Sequence, residues 1–531
     1  METVDYVVIG GGSAGCVVAS RLSEDDTTSV ALLEAGGKGD GWIVKVPSAM
    51  FLMVASSINN WAFSTVPQPG LNGRRGYQPR GKVLGGSSAI NAMLYIRGNK
   101  TDYDKWAALR NHGWSYADVL PYFKRAEDNN QFHDEYHGRG GPLSVSKLQT
   151  DNPFQNVFLQ AAREAGYPLC EDFNGRDQEG LGVFQVTQVN GERCSAARGY
   201  IHPFLGPRQN LRAELHAYAT RILFNGKRAV GVEYRRGNKL EKLYARREVI
   251  LSAGVFQSPQ LLKLSGVGPS NELLQHQIEV VHDLPGVGEN LHDHPDFVFD
   301  YTSDRPGLYG FSYHEVPWLL SATVEYIHNR RGPISSNFAE CGGFLKTSPE
   351  LETPDIQLHF SVALIEDHGR KFHSGIGFSC HCALLNPKSR GSVRLQSNKP
   401  EAVPVIDPNF LGDSYDLEKM VLGFKLTRRL MDAPALKSLE KEDLFTSWVR
   451  TDEDIRQVLR DKVDTVYHPV GTCKMGVNDK FAVVDPKLKV YGVEGLRVVD
   501  ASIMPEVVSG NTNAAAIMIG EKGADLIRLG C

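Results

Sequence analysis

"VDYVVIGGGSAGCVVASRLSE", residues 4–24, decides how this chain begins to fold. Val4 to Ile9 form a short apolar run, the pattern of a parallel strand buried on both faces. In "CVVASRLSE", Val18 and Leu22 lie four apart and share one face of a helix. "SVALLEAG" at 29–36 reads as a second strand, so the order is strand, glycine turn, helix, strand: a dinucleotide-binding unit. Gly10, Gly12 and Gly15 make G-x-G-x-x-G, with Ser13 and Ala14 between the last two. The first glycine permits the sharp turn, and the second lets backbone N–H groups reach a pyrophosphate. The third lets the helix sit on the strand, its N-terminus favouring the anion. Glu34 ends the second strand 22 residues after Gly12, where a carboxylate accepts from both ribose hydroxyls and disfavours a 2′-phosphate. The ligand is FAD or NAD, and the motif barely separates them.

At 531 residues the chain exceeds one ordinary core, so two domains are expected. The 58 Lys+Arg nearly balance 62 Asp+Glu, with no basic stripe, which argues against nucleic acid as a partner. Fifty-three glycines, many in tight clusters, point to backbone closely approaching a ligand. Eight cysteines show no CxxC pair, and Cys380–His381–Cys382 lacks a second ligand pair, so no metal is expected and the thiols read as reduced and mostly buried. A strand starts almost at once, leaving no room for a signal peptide, and no apolar run reaches the roughly 18 residues of a membrane span. A cytoplasmic enzyme is expected. The apolar stretch "VPSAMFLMVASS" (46–57) leaves room for a channel lip or a peripheral membrane contact.

"REVILSAGVFQSPQLLKLSGVG" (247–268) reads as strand, turn and helix, "GLRVVDAS" (495–502) as a strand, and "NTNAAAIMIGEKGADLI" (511–527) as a closing helix. Ala516, Gly520, Gly523 and Ile527 lie along one face of that helix, small enough for a close neighbour. Between about 300 and 460, "TPDIQLHFSVALI" and "RGSVRLQS" alternate apolar with polar residues, as strands beside a cavity do. The expected fold is α/β, mixed α+β overall. A Rossmann-like cofactor domain (1–155, 200–300 and 462–531) interleaves with a substrate domain (156–199 and 301–461) built on an antiparallel sheet with flanking helices.

Four further stretches narrow the reading: "RGKVLGGSSAINAMLYIRG" (80–98), "SAGVFQSPQLLKLSGVG" (252–268), "GVGENLHDH" (286–294), and "HPVGTCKMG" (468–476) with "VVDASIMPEVVSGNTN" (498–513). Together, in this order, they resemble the glucose-methanol-choline (GMC) oxidoreductases end to end, with the flavour of bacterial flavin alcohol and choline dehydrogenases. The resemblance implies FAD. It places Gly12–Gly15, Glu34 and Ala35 on the adenosine diphosphate, and Val83, Gly86, Asn91, Ala92, Met93 and Leu94 along the flavin. It sets Ala219 at the adenine, Asp500 and Ala501 near the ribityl and pyrophosphate, and Tyr467 and Thr512 beside the ring. His468 and Asn511 match the two catalytic positions. Members that bind flavin covalently carry a histidine where this chain has Ile90, so noncovalent FAD is implied. Val255 stands where the family has a small residue.

An alcohol is a poor hydride donor until its hydroxyl proton leaves, and a neutral imidazole suits that removal. Asn511 offers an N–H to the developing alkoxide, and hydride then passes to flavin N5. His292 and His294 read as scaffold, "DYDKW" (102–106) and "NPKSRGSVRL" (386–395) as structural, and the arginines of "GERCSAARGYIHP" (191–203) as packing ion pairs. "MFLMVA" and "VPWLL" (316–320) give an apolar pocket for medium-chain, aromatic or ether-bearing primary alcohols. The expected acceptor is a quinone-like carrier. The alternatives are an oxygen-using oxidase that makes peroxide, a lyase or decarboxylase on the same fold, and a flavin-bound scaffold without turnover.

Overall fold

The computed structural model describes residues 2–311, 316–371, 373 and 375–530. The elements that position the site are, in chain order, β1 (Thr3–Ile9), α1 (Ser13–Leu22), β2 (Val30–Leu33), β3 (Leu211–Glu214), β4 (Tyr218–Asn225), β5 (Arg228–Arg236), β6 (Lys239–Leu251) and α2 (Gly254–Leu264). The later chain adds β7 (Pro295–Ser303), α3 (Val316–Asn329), β8 (Ala339–Leu345), β9 (Ile356–Ser361), β10 (Gly375–Leu384), β11 (Leu496–Val498) and α4 (Asn513–Arg528). The fold is mixed α/β.

A seven-stranded sheet runs β3-β2-β1-β6-β5-β4, with β11 pairing to β6. β1 lies parallel between β2 and β6, and every residue of it after Thr3 is buried, which is why its sequence shows no alternation. α1 covers this sheet and α4 lies on α1. A Cβ at Gly520 would stand 2.8 Å from the Ala14 carbonyl oxygen, and one at Gly523 would stand 2.6 Å from a Val499 methyl. The small residues of the closing helix do set that approach.

A second sheet of eight strands is antiparallel along β7-β10-β9-β8 and ends on the strand Gly180–Val183. The alternation in "DIQLHFS" has two causes. Leu358 and Phe360 join a core with Phe158, Met420 and Phe424, while His359 and Ser361 on the opposite face line a cavity. This sheet takes its first long strand from Pro295, inside the 200–300 piece, and Gln185–Val186 pairs back to Leu143–Lys147. Boundaries drawn from sequence texture therefore cut through paired strands, because texture reports burial and not partners. Among the described residues no helix is long and apolar enough to cross a membrane.

Candidate active site

A cavity of about 840 Å³ runs between the two sheets, from the glycine turn at Gly10 to His468. At its nucleotide end the three glycines are needed for three reasons. Gly10 has φ +101°, and a Cβ there would meet the Ser252 carbonyl at 2.4 Å; a Cβ at Gly15 would strike the Gly10 carbonyl at 1.9 Å. At Gly12 a Cβ would find only the Ser252 carbonyl oxygen at 3.9 Å, so that space belongs to the cavity. α1 starts at Ser13 with no side-chain cap, leaving first-turn N–H groups for an anion. Glu34 is buried beside the turn, accepting from Gly11 N–H (3.0 Å) and Gly36 N–H (2.8 Å), and burial pushes its pKa up to about 7.

The loop after Arg80 closes the cradle. Gly86, at φ +53°, leaves no room for a side chain: a Cβ would come within 2.7 Å of the Gly12 Cα. Met93 adopts φ 60°, held where Asn91 Oδ1 accepts its N–H at 3.0 Å. Arg193 fixes this loop. Its guanidinium donates to the carbonyls of Val44, Ser88 and Asn91 and to Asn91 Oδ1, and burial pulls its pKa down to about 9. Of the two arginines expected to form packing ion pairs, Arg198 does so with Glu192 (2.7 Å), whereas Arg193 binds carbonyl groups. Asp500 accepts from Ser258 Oγ (2.6 Å), Gly254 N–H and Ser502 N–H, and so ties α2 to the chain after β11. Of the residues expected to hold the cofactor, all but Gly15 and Val83 line the cavity. Gly15 supports the turn, and Val83 packs with Val44, Met53 and Ala89 behind the loop. A glycine cradle open at Gly12, an uncapped helix N-terminus and a buried acid at the end of β2 fit FAD.

At the far end His468 and Asn511, 43 residues apart, meet: Asn511 Nδ2 lies 3.1 Å from His468 Nε2. His468 is 7% exposed, on the cavity wall. Burial, helped by His294, His359 and Arg80, pulls its pKa well below the usual histidine value, so the ring is neutral. The His468 backbone N–H donates to Asp293 Oδ1 (2.9 Å), and Arg80 donates to the Tyr467 carbonyl (2.8 Å), so the strained Tyr467 (φ 75°) is held from both sides. Asn511 lies one residue before Thr512, the N-cap of α4, and does not itself begin the helix. No side chain caps α4 and its first turn carries no acid, and Thr512 and Asn513 at its start line the cavity.

Sequence reasoning missed three residues here. His294 Nδ1 lies 3.1 Å from His468 Nδ1, so it touches the expected base where scaffold alone was expected. Gln357 Nε2 donates to Asn511 Oδ1 at 3.0 Å. His359 lines the cavity 3% exposed, with the Asn511 side chain acting on its ring. The period-two spacing of Gln357, His359 and Ser361 was the available signal. His292 is scaffold as expected: Nδ1–H donates to the Asn290 carbonyl and Nε2 accepts from Val507 N–H. Phe51, Val54, Trp318 and Leu319 from the two expected apolar stretches do line the cavity, while the Val316 side chain lies outside the description. The seven described cysteines are free and, Cys170 apart, buried; Cys531 lies outside the described residues.

Family models described as GMC oxidoreductase match residues 4–296 and 387–520. An alcohol dehydrogenase [acceptor] of Pseudomonas putida is 45% identical over 527 residues, covering 98% of this chain and 95% of that protein. A mitochondrial choline dehydrogenase of Mus musculus is 44% identical over 535 residues, 98% and 89% of the two chains. The crystal structure of pyridoxine 4-oxidase from Mesorbium loti superposes with a TM-score of 0.89 at 28% identity, covering 99% of each chain.

Proposed function

The chain belongs to the GMC oxidoreductases, and from that premise we propose that it oxidises primary alcohols to aldehydes with noncovalent FAD, His468 acting as the base. The observation that carries this reading is the pair at the cavity end: a neutral imidazole whose Nε2 stands 3.1 Å from a carboxamide N–H donor. A hydroxyl set against both donates its proton to Nε2 and accepts from Asn511 Nδ2. The oxygen's developing charge then meets a preorganised donor in a site shielded from water. FAD held by the glycine turn, Glu34, the 86–94 loop and Asp500 supplies the hydride acceptor. Ile90, at the place of a flavin-linking histidine, has no atom that could form that bond.

Phe51, Val54, Trp318 and Leu319 favour an aliphatic, aromatic or ether-bearing chain on the alcohol. Electrons leave to a quinone-like acceptor. Mixing holoenzyme with a panel of primary alcohols without oxygen, then adding air or a quinone, tests each part. Bleaching by neutral alcohols and faster reoxidation by quinone is the expected result. Stoichiometric peroxide in air makes the protein an oxidase, and no bleaching with any alcohol removes the reading.

A further inference from the structure

The antiparallel sheet gives one face to its core and the other to the cavity. Phe297 and Phe299 of β7, Leu358 and Phe360 of β9, and Cys380 and Cys382 of β10 share the core. Side chains alternate along a strand, so Asp296, His359 and His381 lie on the opposite face. His359 and His381 are cross-strand partners with ring centroids 6.0 Å apart, and both line the cavity. His381 Nδ1 lies 2.6 Å from Oδ2 of the buried Asp296. No described residue stands at hydrogen-bond distance from Nε2, and that atom is not sealed from the cavity. We propose that His381 determines specificity: its Nε2–H donates to an uncharged acceptor oxygen, ether or carbonyl, carried a few atoms beyond the carbinol of the alcohol. This inference rests on the reading of the protein as an oxidiser of primary alcohols.

The ring is set up as a donor. Burial alone would pull its pKa down, but the Asp296 carboxylate, with Asp300 behind it, outweighs burial and raises it. His294, His359 and His468 are all pulled the other way, so of these four imidazoles His381 is the one disposed to keep a hydrogen on each nitrogen. Asp296 holds one of the two, and the other is left for a ligand. A donor of this kind binds an acceptor about twice as strongly as a neutral one. Asp296 balances the imidazolium, so the pair has no spare charge for a carboxylate and suits a neutral oxygen. The reacting end is close by. Asp296 follows His294 by two residues, at most roughly 7 Å of chain, and His294 Nδ1 lies 3.1 Å from His468 Nδ1. The Asn511 side chain acts on the His359 ring. A hydroxyl held at His468 and Asn511 therefore leaves the next atoms of the same molecule within reach of His381.

The test compares hexan-1-ol with 2-propoxyethanol, 3-ethoxypropan-1-ol and 4-methoxybutan-1-ol, in which one chain CH2 is replaced by oxygen at successive positions. Binding is read by calorimetry in His468→Gln holoenzyme without oxygen, so that it does not depend on turnover. At least one ether binds about ten-fold or more tightly than hexan-1-ol, the scale of one hydrogen bond to a charged group. Hexan-1-ol binding at least as well as all three ethers, as an apolar wall would give, overturns the proposal. In the same background, His381→Leu is combined with Asp296→Asn so that no carboxylate is stranded. The preference then vanishes; an unchanged preference overturns the proposal. The pH profile supplies a sign. The groups facing His381 are Asp296 and Asp300 on β7 and His359 on β9, with His373 acting on Asp300. As pH rises through the raised pKa of His381, Nε2 loses its hydrogen while Asp296 keeps the one on Nδ1, and the ether preference fades. A preference that stays level or grows overturns the proposal, and this readout decides alone if the combined variant does not fold. Preferential ether binding beside a wild type whose flavin no alcohol bleaches would keep His381 as the reader of the oxygen and remove alcohol oxidation.

Discussion

The role proposed for His468 follows from where it sits: a ring withdrawn from water and facing two other imidazoles and Arg80 stays uncharged near neutrality. The sign of its pH dependence follows. A depressed pKa keeps the base form down to acid pH, so flavin reduction should stay level through neutrality and fall only below the ordinary histidine value of about 6.5. Stopped-flow profiles that lose the base form above pH 7 would contradict this. His468→Ala should keep its yellow FAD and slow reduction about 10²–10⁴-fold, the usual worth of a positioned base. Asn511→Ala should lose about 10²–10³-fold, the scale of one oxyanion donor. His468 and Asn511 were legible only through the motifs around them. His294 and Gln357 were not legible, because their contacts span 174 and 154 residues and no local pattern encodes them.

At the scale of elements, the glycine turn was readable because its geometry is local, and it makes separable predictions. Gly12→Ala places a methyl in open cavity space at φ −80°, so FAD-free protein should unfold at an unchanged denaturant midpoint while FAD affinity drops about ten-fold or more. Gly520→Val pushes α4 off α1, where a Cβ already meets backbone at 2.8 Å, and should destabilise by about 1–3 kcal/mol. Urea titration with flavin fluorescence checks both. The closing helix was predicted with its packing face correct, since small residues at helical spacing report a near neighbour. Its start was read two residues early, at Asn511, because Asn and Thr favour a cap whereas the first helical residue here is Asn513.

Over the whole molecule, the cleft is assembled from the ends of β1 and β2, from α2 and α4, and from loops that lie far apart in the chain, so the ligand should bind the folded arrangement and not its pieces. Removing FAD should lower the thermal midpoint, and restoring it at 100 times its Kd should return about 2.7 kcal/mol of stability by mass action. An unchanged midpoint in differential scanning fluorimetry would mean the cleft is not its site. Which strands pair was not visible in the sequence, because partners such as β7 and β10 lie far apart in the chain and texture reports burial alone. The most direct test of the central claim is anaerobic stopped-flow reduction of the holoenzyme by a neutral primary alcohol, wild type beside His468→Ala. The flavin should bleach in the wild type and at least about 10²-fold more slowly in the variant; equal rates, or no bleaching with any alcohol, would contradict it.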